Sequence, residues 1–369
     1  MSQDSYSSLA DYDYIIAAVQ PRFTYTEHYL REDGTVEFKV SSVEGVKEKF
    51  KELISEIKSR GLVALLRRVN EDTILAVGKD VLRIEYRSRT PIILLIATLT
   101  IVAIDGWFGR TASLQGQNRL VMTALYTAAV MGIIGIHELG HKVVSRIHNM
   151  KSSLPYFIPG IPTLIPTMGA VIVSAKPPIN RDSLFDLGLS GPIAGLIVTF
   201  IVAIGGALTS SFLPTELIAR ELREGRLQGV TTIDFFTNLL LTSFGLTNPP
   251  SGKGLIISPL LYASSLGFLI TFLNLMPAWQ LDGGHIARAF LDKKKHRIAT
   301  LGSVAILFVL RFYFMALIVL VLSARSPAMR PLDDVSSLSR KRRFAFLGVL
   351  SLAGFLYIFT ILNNPFFFV

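Results

Sequence analysis

The chain has 369 residues, 50% of them hydrophobic and only 17% charged, with a mean hydropathy of +0.48; this excludes an ordinary soluble enzyme and indicates an integral membrane protein with a modest soluble part. The net charge of +10 comes from Lys and Arg clustered beside apolar stretches, as the positive-inside bias dictates, so no nucleic-acid partner is expected. Cysteine is absent, which excludes disulfides and thiolate ligands and leaves His and carboxylates as metal ligands.

Residues 1–12 are polar and acidic, so no cleavable signal peptide is expected. Residues 1–88 read as a small soluble α+β domain, cytoplasmic, with a docking or regulatory role and no catalytic constellation. Strands are predicted at 14–19 and 36–40. Val46, Phe50, Leu53, Ile54 and Ile57 recur at helical spacing, and Gly61 ends that helix. Further strands are predicted at 62–69, 73–77 and 81–86.

Residues 89–369 read as an all-α polytopic membrane domain with about six transmembrane helices, its catalytic core at about 115–295. Spans are predicted at 91–107, 120–146, 187–213, 255–281, 298–323 and 344–362. The uncharged stretch 152–175 is long enough to span, but Pro155, Pro159, Pro162 and Pro166 forbid a continuous helix. It is predicted to be a re-entrant or β-hairpin segment lining the site, since irregular backbone at membrane depth needs protein or water around it. Residues 215–253 form a polar-to-amphipathic connection containing an interfacial helix. With a cytoplasmic N-terminal domain, the end of span two and Lys293, Lys294, Lys295 and Arg297 lie on the cytoplasmic side. Six spans then put Arg340, Lys341, Arg342 and Arg343 outside, against the rule, and Arg311 interrupts span five.

Span two carries His137-Glu138-Leu139-Gly140-His141 directly after the uncharged run 120–136. An H-E-x-x-H run puts two imidazoles one turn apart on one helical face with a carboxylate beside them, a geometry for holding Zn²⁺ and activating water. Ionisable groups inside a span are costly and mark function, so hydrolysis within the bilayer is indicated. Catalytic zinc takes a third protein ligand. Val144 and Ile147 rule out the metzincin pattern. His148 lies about 10 Å further along the helix axis than His141, too far to share one ion. No Asp or Glu occurs between Lys142 and Arg181. Asp186 and Asp282 remain; Asp282 is favoured because it ends the uncharged run 254–281 and is followed by Gly283 and Gly284. His285 is a lesser candidate.

These residues resemble the site-2 protease family of intramembrane zinc metalloproteases. The similarity rests on H-E-L-G-H, on Asn274, Pro277, Leu281, Asp282, Gly283 and Gly284 as N-x-x-P-x-x-x-L-D-G-G, and on Ser190-Gly191-Pro192-Ile193-Ala194-Gly195 as a variant of A-G-P-x-A-G. It covers residues 90 to 300, and the six-span plan with a soluble N-terminal domain looks most similar to the archaeal and plastid-type branch. The resemblance implies one Zn²⁺ per chain held by His137, His141 and Asp282, and Glu138 as general base. It implies Asn274 as a group binding the substrate backbone or polarising the scissile carbonyl. The hairpin around Met168, Gly169 and Ala170 would present an edge to an unwound substrate strand. The implied substrate is a single-span membrane protein in the lipid bilayer of the cell membrane, cut in regulated intramembrane proteolysis with the active site towards the cytoplasmic side. The competing reading is a non-hydrolytic metal-binding or metal-transporting membrane protein, or a pseudoprotease chaperone; neither requires Glu138. The sequence leaves the oligomeric state open.

Overall fold

The computed structural model describes residues 3–80, 89–111, 118–162, 165–174, 176–224, 235–326 and 328–356. The N-terminal unit contains α1 (Gln3–Val19), β1 (Tyr25–Leu30), β2 (Val36–Val40), α2 (Val46–Ile57), β3 (Leu62–Val69) and β4 (Asp72–Lys79). Its strands form an antiparallel sheet of order β1-β2-β4-β3. Alternation sends Val36, Phe38 and Val40, Leu62, Ala64 and Leu66, and Leu75 and Val77 to one buried face. The core they form is shared with Val46, Phe50, Leu53 and Ile57 of α2, spaced by four, three and four residues. Gly61, at φ 67°, closes the helical stretch in the left-handed conformation that favours glycine.

Two expectations for this unit are corrected. Residues 14–19 are the end of α1 rather than a strand. Ile15, Ala18 and Val19 are buried in the sheet's core at the i, i+3, i+4 spacing of a helix, a stripe that the local run of Tyr, Ile and Val obscured. β1 was not anticipated, because nearly all of it is exposed and it carries no alternation to read. The strand predicted at 81–86 lies outside the described residues.

The remaining elements are α3 (Thr90–Asp105), α4 (Arg119–Ile147), β5 (Tyr156–Ile161), β6 (Ile165–Val171), α5 (Arg181–Thr209), β7 (Ser211–Pro214), α6 (Thr215–Arg223), α7 (Phe235–Ser243), β8 (Lys253–Ile256), α8 (Pro259–Asn274), α9 (Asp282–Phe290), α10 (Lys293–Val309), α11 (Tyr313–Arg325) and α12 (Arg340–Leu356). Among the described residues, three helical stretches are long and apolar enough to cross a membrane: Thr90–Arg110, Arg119–Ile147 and Arg181–Thr209. α8 and α11 are apolar but shorter. The Pro-rich stretch is the antiparallel hairpin β5–β6. Among the described residues, the connection after α5 contains the helices α6 and α7 and the strand pair β7–β8; the middle of the expected interfacial helix, residues 225–234, lies outside the described residues.

The fifth expected span is a helical hairpin. α10 stops at Val309, Arg311 takes a left-handed φ of 63°, and α11 starts at Tyr313. α11 folds back: the carbonyl of Ser326, just past its end, accepts the Trp279 indole N–H at 3.0 Å, and the Trp279 backbone N–H donates to Thr300 Oγ1 of α10 at 3.0 Å. The turn reverses the chain direction before α12. Arg342 now meets Asp182 and Asp186 in the first turns of α5, and Lys47 of α2 also reaches Asp182 at 2.7 Å. The basic run 340–343 therefore lies beside the N-terminal unit. Of the sixth expected span, residues 357–362 lie outside the described residues.

The segment 332–334 fastens the two parts together. Leu332 and Asp334 exchange backbone hydrogen bonds with Leu66 of β3 on one side, while Leu332 and Asp333 donate to the carbonyls of Pro178 and Ile179 on the other. Leu332 joins the core of the N-terminal unit. Within the membrane part, Asp105 is fully buried; it accepts from Tyr126 Oη at 2.6 Å and pairs with Arg110, whose guanidinium sits 3.8 Å from the centre of the Tyr262 ring. A buried charge in such a position needs this pairing.

Candidate metal centre

α4 supplies two of the converging groups because residues four apart share a helical face. Its N-terminus is capped by Asn118, which accepts from the Leu120 and Val121 N–H groups. His137, Glu138 and His141 are buried, at 6%, 5% and 9% exposure. Asp282, the first residue of α9, comes in from the other side. Its Oδ2 lies 3.0 Å from His137 Nε2 and its Oδ1 3.2 Å from His141 Nε2. The two Nε2 atoms face each other at 3.2 Å. One ligand atom from each of the three residues falls within 4.8 Å of the others.

His141 Nδ1 lies 2.8 Å from the Leu187 carbonyl of α5. Donating there fixes the neutral ring's tautomer and leaves Nε2 with its lone pair turned towards His137 and Asp282. Two imidazole nitrogens and a carboxylate, aimed at one point without sulfur, form a donor set suited to zinc with a position left for water.

α5 packs against the centre through glycines. A Cβ on Gly188 would sit 2.6 Å from the Asp282 carbonyl, one on Gly191 2.1 Å from His141 Nε2, and one on Gly195 3.1 Å from His137 Cβ. Gly140 of α4 makes the reciprocal approach, 2.6 Å from the Ser190 carbonyl. The run 190–195, read as a small-residue signature, is thus the surface on which His137 and His141 rest, and Gly188, one turn earlier on the same helix, receives Asp282. Pro192, inside α5, offers no N–H to the carbonyl four residues earlier.

The Asp282 turn is buttressed from behind. Trp279 adopts φ 43°, a conformation unusual for a side chain of this size. Gly283 and Gly284 allow the close return, since a Cβ on either would strike the carbonyls of Leu275 or Ala278 at 2.1 and 2.4 Å. His296 Nε2 lies 3.0 Å from the Gly284 carbonyl. His296, Thr300 and Trp279 hold this turn, and nothing in their spacing announced it.

The other candidates lie elsewhere. Asp186 pairs with His148 at 3.0 Å and with Arg342 at 2.6 Å, so both form an ion-pair network at the end of the helices. His285 is partly buried on α9, one turn from Asp282, outside the three-ligand cluster. Asn274 is the last residue of α8, at the start of the turn leading to Asp282. Met168, Gly169 and Ala170 lie on β6, with Gly169 at φ 90°. β6 pairs with β5 on one edge, and the described residues place no strand on its other edge.

Comparisons with known proteins point the same way. The pattern described as "Peptidase family M50" matches residues 125–318. The chain is 30% identical over 183 residues to "Probable zinc metalloprotease EGY2, chloroplastic" of Oryza sativa subsp. indica, covering 49% of this chain and 31% of that protein. It is 29% identical over 251 residues to the Arabidopsis thaliana protein of the same name, covering 66% and 42%. It is 30% identical over 171 residues to "Probable zinc metalloprotease EGY1, chloroplastic" of Arabidopsis thaliana, covering 44% and 29%. The chain thus spans about a third of the length of the curated rice relative it matches. No solved structure matches it.

Proposed function

The chain belongs to peptidase family M50, and from that footing we propose that it is an intramembrane zinc endopeptidase that hydrolyses peptide bonds within or near the transmembrane helices of membrane proteins. The observation carrying this reading is the convergence of His137, His141 and Asp282 beside the buried Glu138 on a helix of membrane-spanning length. Zinc held by these three residues would polarise the scissile carbonyl and lower the pKa of a water towards about 7. Glu138 accepts a proton from the attacking water at its carboxylate and returns it to the leaving amide nitrogen. The Leu187 carbonyl holds His141 in register throughout.

A transmembrane helix hides its peptide bonds in internal hydrogen bonds, so the substrate must unwind locally before water can reach a carbonyl. The outer edge of β6 offers backbone groups to the freed strand in the manner of strand addition. Asn274, at the end of α8, binds the substrate backbone near the scissile bond. The substrate is a single-span membrane protein, and its cleavage releases a soluble domain. Lys293 and Arg342 lie on the face where the N-terminal unit docks. This face is the cytoplasmic one, and the metal centre opens towards it.

The test is cleavage of a single-span peptide by the purified full chain in proteoliposomes, with the cut mapped by mass spectrometry. The expected result is a cut inside the apolar segment, stopped by a zinc chelator and restored by added zinc. Chelator-insensitive cleavage, or a cut confined to the soluble flanks, would overturn the proposal.

A further inference from the structure

Where the N-terminal unit meets the membrane part, the two enclose a cleft of about 660 Å³. Arg67 and Arg68 of β3 line one wall; Arg181 at the start of α5, Arg288 of α9, Lys293 of α10 and Arg330 of the connecting segment line the others. Against these six cations stand two acids, Asp292 and Asp334. Both acids are already engaged. Asp334 pairs with Arg181 and Arg288, and Asp292 caps α10 through the Lys295 N–H and pairs with the Lys295 side chain. Arg67 donates from Nη1 to the carbonyls of Leu66 and Leu332. Arg68, Arg330 and Lys293 have no ion-pair partner among the described residues.

The cleft is thus a concave, positively charged space with charge to spare. Burial pushes the Arg67 guanidinium below its ordinary pKa; Arg330 and Arg288 add to that push and Asp334 opposes it. Three polar atoms of its lining residues, Arg181 Nε, Ser336 Oγ and the Asp334 Oδ1 that pairs with Arg181, are buried with no hydrogen-bond partner; the first two can donate, and such atoms in a folded protein call for an ion, a water or a ligand. Several guanidinium groups around one space suit the oxygens of phosphate, which accepts paired N–H bonds in a way a lone ammonium ion does not reproduce.

We propose that this cleft binds a phosphate-bearing anion, which ties the N-terminal unit to the membrane part. The anion bridges Arg68 on the N-terminal unit to Arg330 and Lys293 on the membrane part and occupies the unsatisfied donors of Arg181 and Ser336. The site is separate from the metal centre, yet it shares two elements with it. Arg181 opens the helix whose Leu187 carbonyl holds His141, and Arg288 lies on the same short helix as Asp282, about 9 Å further along. The same chemistry is offered by a soluble polyphosphate or nucleotide and by an anionic phospholipid headgroup at the basic membrane face.

The experiment uses the full chain and reads binding, so it stands apart from the protease reading. In neutral detergent, pyrophosphate and ATP are titrated by calorimetry; in nanodiscs, phosphatidylglycerol is compared with phosphatidylcholine through the thermal midpoint. The variants are Arg68→Gln and Arg330→Gln, singly and together, with Lys341→Gln as a basic control outside the cleft. Saturable binding in one arm, weakened about tenfold or more by the double variant and unchanged by the control, is expected. Response to soluble phosphates identifies a free anion; response to phosphatidylglycerol alone identifies a headgroup. Absence of saturable binding in both arms, or equal loss with Lys341→Gln, would overturn the proposal. Folding of the variants is checked by their thermal midpoint without ligand, which should match wild type because neither arginine is ion-paired.

Discussion

Gly191 lies directly against the imidazole of His141, with room for a hydrogen and nothing more: a Cβ there would come within 2.1 Å of Nε2. The atom it would strike is the one that faces Asp282 at 3.2 Å. Gly191→Ala is therefore expected to displace His141 and reduce bound zinc at least tenfold, measured by metal analysis of the purified protein. Gly135→Ala on α4, where a Cβ meets nothing within 4 Å, should leave zinc and cleavage at wild-type levels.

Asp186 separates a structural carboxylate from a ligand. It is bound by Arg342 through two contacts of 2.6 Å and by His148 at 3.0 Å. Asp186→Ala should keep zinc and cleavage while lowering stability by about 1–3 kcal/mol, read as a drop in thermal midpoint in detergent. Loss of zinc in this variant would mean that the third ligand has been misassigned.

The hairpin edge makes a backbone prediction. Met168 is exposed on β6 beside Gly169. Met168→Pro removes a backbone N–H from β6 and stiffens the strand without touching His137, His141 or Asp282. Cleavage of a single-span substrate should fall severalfold or more, with zinc content unchanged. Undiminished cleavage would remove the hairpin from substrate binding.

The turn at Arg311 can be tested because the chain has no cysteine of its own. Single cysteines at Ser42, Lys294 and Lys341 should all label from the same side of a sealed membrane with an impermeant thiol reagent. Labelling of Lys341→Cys from the side opposite to Ser42→Cys would show that residues 298–323 cross the membrane once.

The convergence of His137, His141 and Asp282 was legible because charge in an apolar stretch has few innocent explanations. His137, Glu138 and His141 stand at the end of an uncharged run, and Asp282 at the end of another. The hairpin was legible from its prolines, and β2, β3, β4 and α2 from clean periodicity. The helix break at Arg311 was not. Arg311 sits in a stretch whose hydropathy alone reads as one span, and only the left-handed turn there reverses the chain. Arg342 finds Asp182 and Asp186 in a helix far away in sequence, a pairing that no local pattern encodes. α1 was misread because Tyr14, Ile15, Ile16 and Val19 favour strands locally, whereas packing of Ile15, Ala18 and Val19 on the sheet rewards a helix. The support of Asp282 by Trp279, Thr300 and His296 likewise depends on α10 folding back beside it.

The most direct test of the proposed catalytic centre measures zinc content and product formation on the same preparations of wild type, Glu138→Gln and Asp282→Ala. Wild type should hold zinc and cut. Glu138→Gln should hold zinc as well as wild type and cut about 10²–10⁴-fold more slowly. Asp282→Ala should lose both. Wild-type cleavage by Glu138→Gln, or full zinc retention by Asp282→Ala, would contradict the assignment of these residues.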